Sequence, residues 1–436
     1  MSGFQVMVVI ICLLIVLAEG YDLLLMAFAA SGVAAEWSLN GSQTGILLSA
    51  ALIGMAFGSA FIAPLADRIG RRMQTLGCLA LVVVTMALAA FSADYIQLGL
   101  CRLLTGLGIG GLVASLPVVA AEFSPKRRRS TMIAIYTSGL PLGGVVGGLI
   151  ASALLANYSW RASFLVGAAL TFALLVVVYF VMPESIDYLL VRRPKGALES
   201  INKTLGKMNL PAIDELPVHE RKEEDRLGAA VFKGRNGVRT ILLGAAFFFM
   251  MAAFYFATSW TPRLLEQSGF SAQQGISGGM LLNMGGAAAA FIISIFALRF
   301  KMRAISVIVF LGGAAVFVAM SLSLGNLGLA LIFAVGVGAF TNGAASGLFA
   351  LAPDCYPTAA RTTGVGLVSA VGRIGAIFAP ILAGLLIDLS WTPSSLFLLF
   401  AVPLVLGAIA VAAIRMPTAS DPDTALSSDT RESASV

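Results

Sequence analysis

The chain has 436 residues, of which 58% are hydrophobic and 11% are charged, and its formal net charge is +6. Soluble domains carry about 25% charged residues, so this composition excludes an ordinary soluble protein. The excess of Lys and Arg does not indicate nucleic-acid binding. The apolar pattern described below predicts a membrane protein, and most Lys and Arg residues fall in segments on one side of that membrane.

Apolar runs recur along nearly the whole chain, and a helix that crosses a bilayer needs about 20 such residues. The pattern predicts twelve spanning helices, at about 4–30, 43–66, 74–92, 95–121, 130–156, 161–182, 240–264, 273–298, 304–323, 327–352, 362–387 and 393–414. The first run is too long for the apolar core of a signal peptide, so we interpret it as a helix.

Two acids, Glu19 and Asp22, lie inside the first apolar run. A carboxylate at such depth costs about 2.5–3.5 kcal/mol on insertion scales, and intramembrane acids usually serve function. The spacing places both carboxyl groups on one helix face, where two close carboxylates should not both ionise. We therefore predict that Glu19 and Asp22 form a proton-coupling site. The alternative is that they are structural partners of Arg102.

The positive charges predict the topology. With the N-terminus in the cytoplasm, the outside segments hold only Arg161 and Arg263. The inside segments hold Arg68, Arg71 and Arg72, Lys126 to Arg129, residues 183–239, Arg299, Lys301 and Arg303, Arg361, and the tail. This positive-inside pattern predicts a multi-pass protein with both termini cytoplasmic.

The charged segment 183–239 divides the chain. We predict an N-terminal six-helix bundle at 1–182, a cytoplasmic linker at 183–239, a C-terminal six-helix bundle at 240–414 and a cytoplasmic tail at 415–436. The linker is expected to contain a short amphipathic helix around 194–207. The tail is rich in Ser, Thr and Asp and is expected to be disordered.

An internal repeat relates the two halves at a constant offset of 232 residues. It aligns Glu122 with Asp354, Pro125 with Pro357, Arg129 with Arg361, Ser130 with Thr362, Thr131 with Thr363 and Gly143 with Gly375. Two parallel six-helix repeats are the architecture of the major facilitator superfamily. The predicted fold class is therefore an all-α membrane protein of twelve transmembrane helices in two pseudo-symmetric halves. We interpret Glu122, Arg129, Asp354 and Arg361 as gating latches at helix ends.

The sequence does not favour an enzyme, a metal site or a cofactor. Four cysteines, Cys12, Cys78, Cys101 and Cys355, lie in or at the ends of apolar helices without a CxxC pair. The one histidine, His219, lies in the linker, so proton handling inside the membrane must use carboxylates. GLGIGG at 106–111 follows no strand, and we interpret it as a helix-packing stripe rather than a nucleotide loop.

Residues 64–72, PLADRIGRR, resemble the signature loop of the major facilitator superfamily between its second and third helices, with Pro64 in place of the first glycine. The resemblance implies a conformational role for the charged residues of this loop. The acid pairs with a neighbouring helix end and the basic residues latch the cytoplasmic face. These predicted gating residues are Asp67, Arg68, Arg71 and Arg72.

A narrower resemblance, to the bacterial aromatic acid:proton symporters, rests on four segments. They are EGYD at 19–22, CRLLTGLGIGG at 101–111, AEFSPKRRR at 121–129 and YPTAARTTGVGLVSAVGRIGAIFAP at 356–380. Members move benzoate, hydroxybenzoates and related acids, and their first-helix motif is D-G-x-D, from which Glu19 departs. The resemblance implies functional roles for Glu19, Asp22, Glu122, Arg102, Arg361 and Arg373.

Arg102 and Arg373 are the two arginines inside apolar runs. A guanidinium group offers a planar fork that suits a carboxylate, so both are predicted substrate ligands, with Arg373 the stronger candidate. Arg102 lies near the outer end of its helix, where it could instead be a gate or pair with an acid. Static ion pairs are the alternative for both.

An aromatic substrate also needs apolar and π contacts. Tyr255 and Trp260 in the seventh helix, and Tyr21 between the two acids, are the predicted ring contacts. Asn283 and Asn342 in the eighth and tenth helices are predicted to bind ring hydroxyl groups. Packing or lipid contact is the alternative for the aromatic residues, and interhelical hydrogen bonding is the alternative for the amides.

The sequence thus predicts a proton-coupled symporter for a small aromatic carboxylate of the benzoate or hydroxybenzoate class, working by alternating access. We expect a monomer in the cytoplasmic (inner) membrane of a bacterium, with the substrate, protons and lipid as partners. The alternatives are a superfamily transporter of a sugar, an organic cation or a drug, and a sensor that binds ligand without moving it. MPES at 182–185 resembles a sugar-porter signature, but the following Ile-Asp breaks it.

Overall fold

The computed structural model describes residues 1–125, 128–216, 235–296, 299–356 and 361–415, and within these ranges the chain is helical and contains no β-strand. Its α-helices are α1 (Gly3–Trp37), α2 (Gly41–Phe57), α3 (Ala66–Ile69), α4 (Arg71–Ala90), α5 (Tyr95–Glu122), α6 (Arg129–Asn157), α7 (Trp160–Val181), α8 (Ile186–Arg192), α9 (Ala197–Lys207), α10 (Arg235–Gln267), α11 (Ala272–Phe296), α12 (Met302–Ser323), α13 (Leu327–Leu351), α14 (Arg361–Asp388) and α15 (Pro393–Ala413). Short 3-10 and π segments accompany α2 and α13.

Polar capping residues mark where the apolar helices begin. Ser2 and Asn40 each accept a hydrogen bond from the backbone three residues on, and the side chain there, Gln5 or Gln43, accepts one back from the cap. Such capping boxes satisfy donors that a helix start leaves unpaired. Asp94 caps α5 in the simpler way, by accepting from the backbone N–H of Gln97 at 2.8 Å.

The twelve predicted spanning helices are all found within the described ranges. Eleven long helices, by length and composition, could cross a membrane, and α11 completes the twelve. Some bounds differ, because helical hydrogen bonding continues into polar residues beyond the apolar runs. Thus α1 extends to Trp37 and α10 begins at Arg235. The second span continues past α2 through a π-helical turn at Gly58–Ile62 and a 3-10 turn at Ala63–Leu65.

Two short helices follow the sixth span. The amphipathic helix expected around 194–207 is confirmed as α9. The preceding helix, α8, was not predicted, and it begins where the Ser185 hydroxyl accepts from the backbone N–H of Tyr188 at 3.2 Å. Leu189 of α8 and Ile201 of α9 pack together in a small apolar cluster. Lys207 of α9 lies over the ring of Phe4, and Arg192 of α8 donates to the carbonyl of Asp67. Both helices therefore lie at the end of the bundle that also carries the N-terminus, which we call the linker face.

The internal repeat is visible in the packing. In the first half, α1 packs on α6, α2 on α5, and α4 on both α5 and α7. In the second half, α10 packs on α14, α11 on α13, and α12 on both α13 and α15. Each pair has its counterpart one repeat later, and the interface between the halves is built in the same way, by α2 on α14 and by α6 on α11.

The halves touch at the end opposite the linker face, which we call the far face. There α2 and α14 approach so closely that a Cβ on Gly41 would overlap the carbonyl oxygen of Gly384, and the reverse also holds. Nearer the middle, the Ser49 hydroxyl donates to the carbonyl of Ile377 at 2.9 Å. In the described part of the chain, no hydrogen bond or ion pair joins the two halves at the linker face.

Several sequence predictions fall outside the described residues. They concern the basic residues Lys126 and Arg127, the histidine His219, the repeat partner Pro357, and residues 416–436 of the tail.

Candidate functional site

Asp22 and Arg102 form a buried ion pair inside the first half. Nη1 of Arg102, on α5, lies 2.5 Å from Oδ1 of Asp22, on α1. Nη2 donates to the backbone carbonyl of Asp22 at 3.0 Å, and the Phe164 ring centroid lies 5.8 Å from the guanidinium carbon. The side chains are 2% and 1% exposed, so each charge is balanced by its partner rather than by water.

Glu19 lies one helical turn before Asp22 and does not join the ion pair. Its side chain is buried, and its Oε1 atom has no hydrogen-bond partner among the described residues. Oδ2 of Asp22 and Nε of Arg102 are also without a partner there. An ionised carboxylate in such a place is costly unless it is paired, so the geometry suits a neutral, proton-carrying Glu19.

The carboxyl pair faces the interior of the first half and not the interface between the halves. A narrow space beside Glu19 and Asp22 is lined by α1, α4, α5 and α7, and Ile109 and Thr171 contribute to its wall. Tyr21, between the two acids, points elsewhere, because its hydroxyl donates to the backbone carbonyl of Ser163 at 2.6 Å. The structure thus brings Glu19, Asp22 and Arg102 together and leaves Tyr21 apart from them.

A second cavity lies between the two halves near mid-bundle. It is narrow in this conformation, with a volume of about 20 Å³. The first half contributes apolar or glycine surface, and the second half contributes one aromatic and three polar side chains. Its lining is Gly20, Leu23, Leu24, Leu140 and Pro141 from the first half, with Phe254, Thr258, Asn283 and Asn342 from the second. Asn283 and Asn342, 59 positions apart in sequence, therefore share one cavity.

Arg373 also lies at the interface between the halves. It projects from the middle of α14 toward α2, where Nη1 donates to the backbone carbonyl of Met55 at 3.1 Å. No carboxylate of the described residues lies within ion-pair distance of it. Tyr255 of α10 is within electrostatic reach of the guanidinium group, and its ring packs edge-on against Phe254 at 5.1 Å. The Arg373 guanidinium group thus donates to a neutral carbonyl and has no ion-pair partner among the described residues.

Trp260 occupies the core of the second half. Its side chain is fully buried, and its indole N–H donates to the carbonyl of Pro380 at 3.1 Å. The residue therefore has no surface on the cavity in this conformation. Of the aromatic residues proposed from the sequence, Tyr255 lies nearest to Arg373, whereas Phe254, which the sequence did not single out, lines the cavity itself.

The signature loop makes its contacts on the linker face within the first half. Nη1 of Arg71 pairs with Glu122 at 2.8 Å, and the Ser185 hydroxyl donates to the same carboxylate. Arg72 donates to the carbonyl of Tyr179 at 2.6 Å. The side chains of Asp67 and Arg68 are exposed; the backbone carbonyl of Asp67 accepts from Arg192 of α8. The loop thus ties α4, α5 and the linker into one unit.

The second-half counterpart is not built in the same way. Asp354 and Arg361 are exposed, as is Arg129, and in the ranges that the structure covers no ion pair joins them. Of the four predicted latch residues, Glu122 is therefore the one whose side chain is buried and forms an ion pair and a hydrogen bond with described residues. Its repeat partner lacks those contacts.

A far-face cluster was missed at the sequence level. The carboxylate of Asp388, at the end of α14, accepts from the backbone N–H groups of Gly41 at 2.6 Å and Ser42 at 2.8 Å. The Ser42 hydroxyl contacts it as well. Arg263 of α10 donates to the Thr44 hydroxyl of α2. No local signal marks these residues, because each contact depends on how distant helices align.

Metal-ligating side chains are not clustered in the part of the chain that the structure describes. No group of three or more His, Cys, Asp or Glu residues there could hold a metal ion. The four cysteines are free.

Twelve long helices in two repeated halves, with buried charges inside one half and between the two, define a multi-pass membrane transporter. A family model described as Major Facilitator Superfamily matches residues 10–342 and, separately, 284–434. The chain belongs to this superfamily.

Curated relatives match over nearly the whole chain. The 4-hydroxybenzoate transporter PcaK of Pseudomonas putida is 31% identical over 416 residues, which is 94% of this chain and 92% of the relative. The gallate transporter of Pseudomonas putida is 31% identical over 420 residues, covering 94% and 92%. The benzoate transport protein of Acinetobacter baylyi is 28% identical over 423 residues, covering 94% and 90%. The resemblance to aromatic acid transporters is thereby confirmed.

Solved structures agree on the fold. The inward open conformation of the xylose transporter XylE from E. coli superposes with a TM-score of 0.78 and covers 97% of this chain and 99% of its own. The two sequences are 16% identical, so this similarity concerns the fold alone.

Proposed function

We propose that this protein takes up a small aromatic carboxylate together with protons, by alternating access. The proposal rests on one observation: the protein has two separate charged centres, one inside the first half and one between the halves. An unpartnered, buried Glu19 lies beside the Asp22–Arg102 ion pair in the first half. Arg373, which has no carboxylate partner among the described residues, lies between the halves. The printed names of the relatives support the substrate class.

Arg373 supplies the counter-charge for the substrate carboxylate. Its contact in this conformation is one neutral backbone carbonyl at 3.1 Å, and a carboxylate accepts two charge-assisted bonds from the guanidinium fork instead. Tyr255 and Phe254 provide the aromatic surface next to it. The substrate ring then extends from Arg373 toward the cavity between the halves, which has to widen from its present volume of about 20 Å³ to hold the ring.

Glu19 and Asp22 carry the proton. Asp22 already has a charged partner at 2.5 Å, whereas Glu19 has none among the described residues, so Glu19 takes up the proton that moves with the substrate. Because the site lies inside the first half, the proton and the substrate do not share one cavity. Their coupling runs through α1, which carries Glu19 and Asp22 on one face and lines the substrate cavity with Gly20, Leu23 and Leu24 on another.

The linker face is the cytoplasmic face in this proposal, and the membrane is the inner membrane of a bacterium. The basic residues of the signature loop and of the linker lie on this face, which agrees with the positive-inside rule. The halves touch at the far face, so in this proposal the present conformation is the one closed toward the outside. The proposed gates are the Arg71–Glu122 contact and its neighbours on the linker face. The transporter acts as a monomer.

The deciding experiment is uptake of labelled 4-hydroxybenzoate into proteoliposomes, with and without an inward proton gradient. The gradient should drive accumulation in the native protein. Glu19→Gln, which keeps the shape but holds no titrating proton, should lose accumulation and still exchange internal for external substrate. Glu199→Gln, an exposed acid of α9, is the matched control and should behave as the native protein does.

Two results would contradict the proposal. Absence of uptake of every aromatic acid by folded protein would remove the substrate class. Full gradient-driven accumulation by Glu19→Gln would remove Glu19 as the proton carrier.

A further inference from the structure

Two asparagine side chains in the cavity between the halves are held in a fixed orientation. Nδ2 of Asn283 donates to the carbonyl of Gly279 at 2.8 Å, and Nδ2 of Asn342 donates to the carbonyl of Gly338 at 3.2 Å. Each bond runs to the residue four positions earlier on the same helix. Since only the nitrogen end of an amide can donate to a carbonyl, these bonds determine which end is the oxygen.

The oxygen ends are free. Neither Oδ1 atom accepts a hydrogen bond from any described residue. Asn283 is 5% exposed, and its Oδ1 lies 3.0 Å from the position that a Cβ on Gly144 would occupy, across the interface between the halves. Asn342 presses its nitrogen end against Gly286 of α11. Both line the same cavity, and each has an amide oxygen that accepts no hydrogen bond from the described residues.

Thr258, the third polar residue of the cavity, also has its donor occupied by a backbone carbonyl. The Thr258 hydroxyl donates its hydrogen to the carbonyl of Phe254 at 2.9 Å, which leaves only its lone pairs. The rest of the lining is apolar or glycine. This end of the cavity therefore suits a ligand group that donates hydrogen bonds, and it disfavours a carboxylate, which only accepts them.

We propose that Asn283 and Asn342 make the transporter selective for aromatic acids that carry a ring hydroxyl group. This inference rests on the proposed function, in which Arg373 binds the carboxylate. The ring lies against Phe254, whose neighbour Tyr255 reaches Arg373, and the hydroxyl at the other end of the ring donates to one of the two amide oxygens. Unsubstituted benzoate leaves these oxygens unpaired.

The test compares initial rates of uptake of benzoate, 3-hydroxybenzoate and 4-hydroxybenzoate in proteoliposomes. A site built to bond a hydroxyl group discriminates against the analogue that lacks it, so we expect kcat/KM for at least one hydroxylated acid to exceed that for benzoate by about tenfold or more. The double variant Asn283→Leu/Asn342→Leu should bring this ratio close to one, because a hydroxybenzoate then has no amide oxygen to which its hydroxyl group can donate.

Three further variants separate recognition from folding. Asn342→Ser and Asn283→Ser can repeat the bond to the carbonyl four residues earlier and still present an oxygen, so each should keep most of the preference. Asn157→Leu, at the exposed end of α6, should leave the ratio unchanged.

The outcomes distinguish the inference from the function on which it rests. Benzoate uptake as efficient as that of both hydroxybenzoates in the native protein overturns the inference and leaves the proposed function standing. An unchanged ratio in a transport-competent double variant does the same. Absence of uptake of all three acids overturns both.

Discussion

At the level of single residues, Arg102 is a fully buried charge with one charged partner among the described residues. Its charge is balanced by Asp22 at 2.5 Å and by the backbone carbonyl of the same residue. Removing one partner of a buried ion pair leaves the other charge uncompensated, which destabilises proteins by about 3–5 kcal/mol. Replacing both partners with uncharged residues of similar size is much less costly.

We therefore predict that Arg102→Met lowers the thermal unfolding temperature strongly and that Asp22→Asn/Arg102→Met recovers most of the loss. The measurement is the Tm of each detergent-solubilised variant. Arg161→Met removes a partly exposed arginine paired with Glu36 at 2.6 Å and serves as the control, with a small expected effect. A double variant as unstable as Arg102→Met would show that the ion pair is not the source of the stability.

The sequence anticipated part of this arrangement. The spacing of Glu19 and Asp22, and the rarity of arginine in apolar runs, were sufficient to select the three residues that form the buried centre. They did not show that Arg102 pairs with Asp22 and leaves Glu19 free, because that choice depends on the depth at which α5 packs against α1. For Trp260 the pattern showed an aromatic residue in a spanning helix but could not distinguish a core position from a cavity wall.

Among the helices, α2 makes two kinds of close contact. Against α5, inside its own half, a Cβ on Gly106 would overlap the carbonyl of Ala51. Against α14, across the interface, a Cβ on Gly384 would overlap the carbonyl of Gly41. Glycine permits this approach in both cases. The first contact lies within one half, whereas the second joins the two halves and has to break when the far face opens in the proposed transport cycle.

This difference predicts different consequences for the same substitution. Gly106→Leu should reduce the yield of folded protein, since the first half cannot assemble around the larger side chain. Gly384→Leu should fold and yet be unable to close the far face, so uptake is lost. Size-exclusion profiles and Tm distinguish the two, and Gly77→Leu, where nothing lies within 4 Å of an added Cβ, is the control. Normal uptake by Gly384→Leu would contradict the proposed closure.

Helix positions were predictable for a simple reason. The apolar runs are bounded by capping residues such as Asn40 and Asp94, and these local features decide where a helix begins. The extension of the second span through a π turn and a 3-10 turn was not predictable. The sequence shows Pro64, but which hydrogen bonds rearrange around it depends on the packing against α5.

For the whole molecule, the positions of the hydrogen bonds between the two halves show where the halves are held together. All hydrogen bonds between the halves in the described part of the chain lie from mid-bundle to the far face, and Asp388 makes the densest set of them. Its carboxylate sits at the N-terminus of α2, where the helix dipole and free N–H groups favour negative charge. Sequence could not reveal this contact, because it joins residues that are 346 and 347 positions apart.

Asp388→Asn should therefore shift the population toward conformations that are open at the far face. The measurement is labelling of Thr258→Cys, a cavity position, by a membrane-impermeant maleimide applied from that side, with the four native cysteines replaced by serine. Labelling should be faster in Asp388→Asn than in the parent. Asp94→Asn also removes a carboxylate charge from a helix N-terminus, that of α5, but within one half, and should label at the parental rate. Equal rates in all three would contradict a latch at Asp388.

The closed far face also affects how apparent affinity should be interpreted. A substrate arriving from outside can bind only to the fraction of molecules whose far face is open, so the concentration needed for half-maximal uptake equals the intrinsic dissociation constant divided by that fraction. Each additional 1.4 kcal/mol or so of closure then raises the apparent KM about tenfold without any change at Arg373. Relatives with identical cavities can accordingly differ widely in how dilute a nutrient they can harvest, because the residues where α2 meets α14 also set that limit.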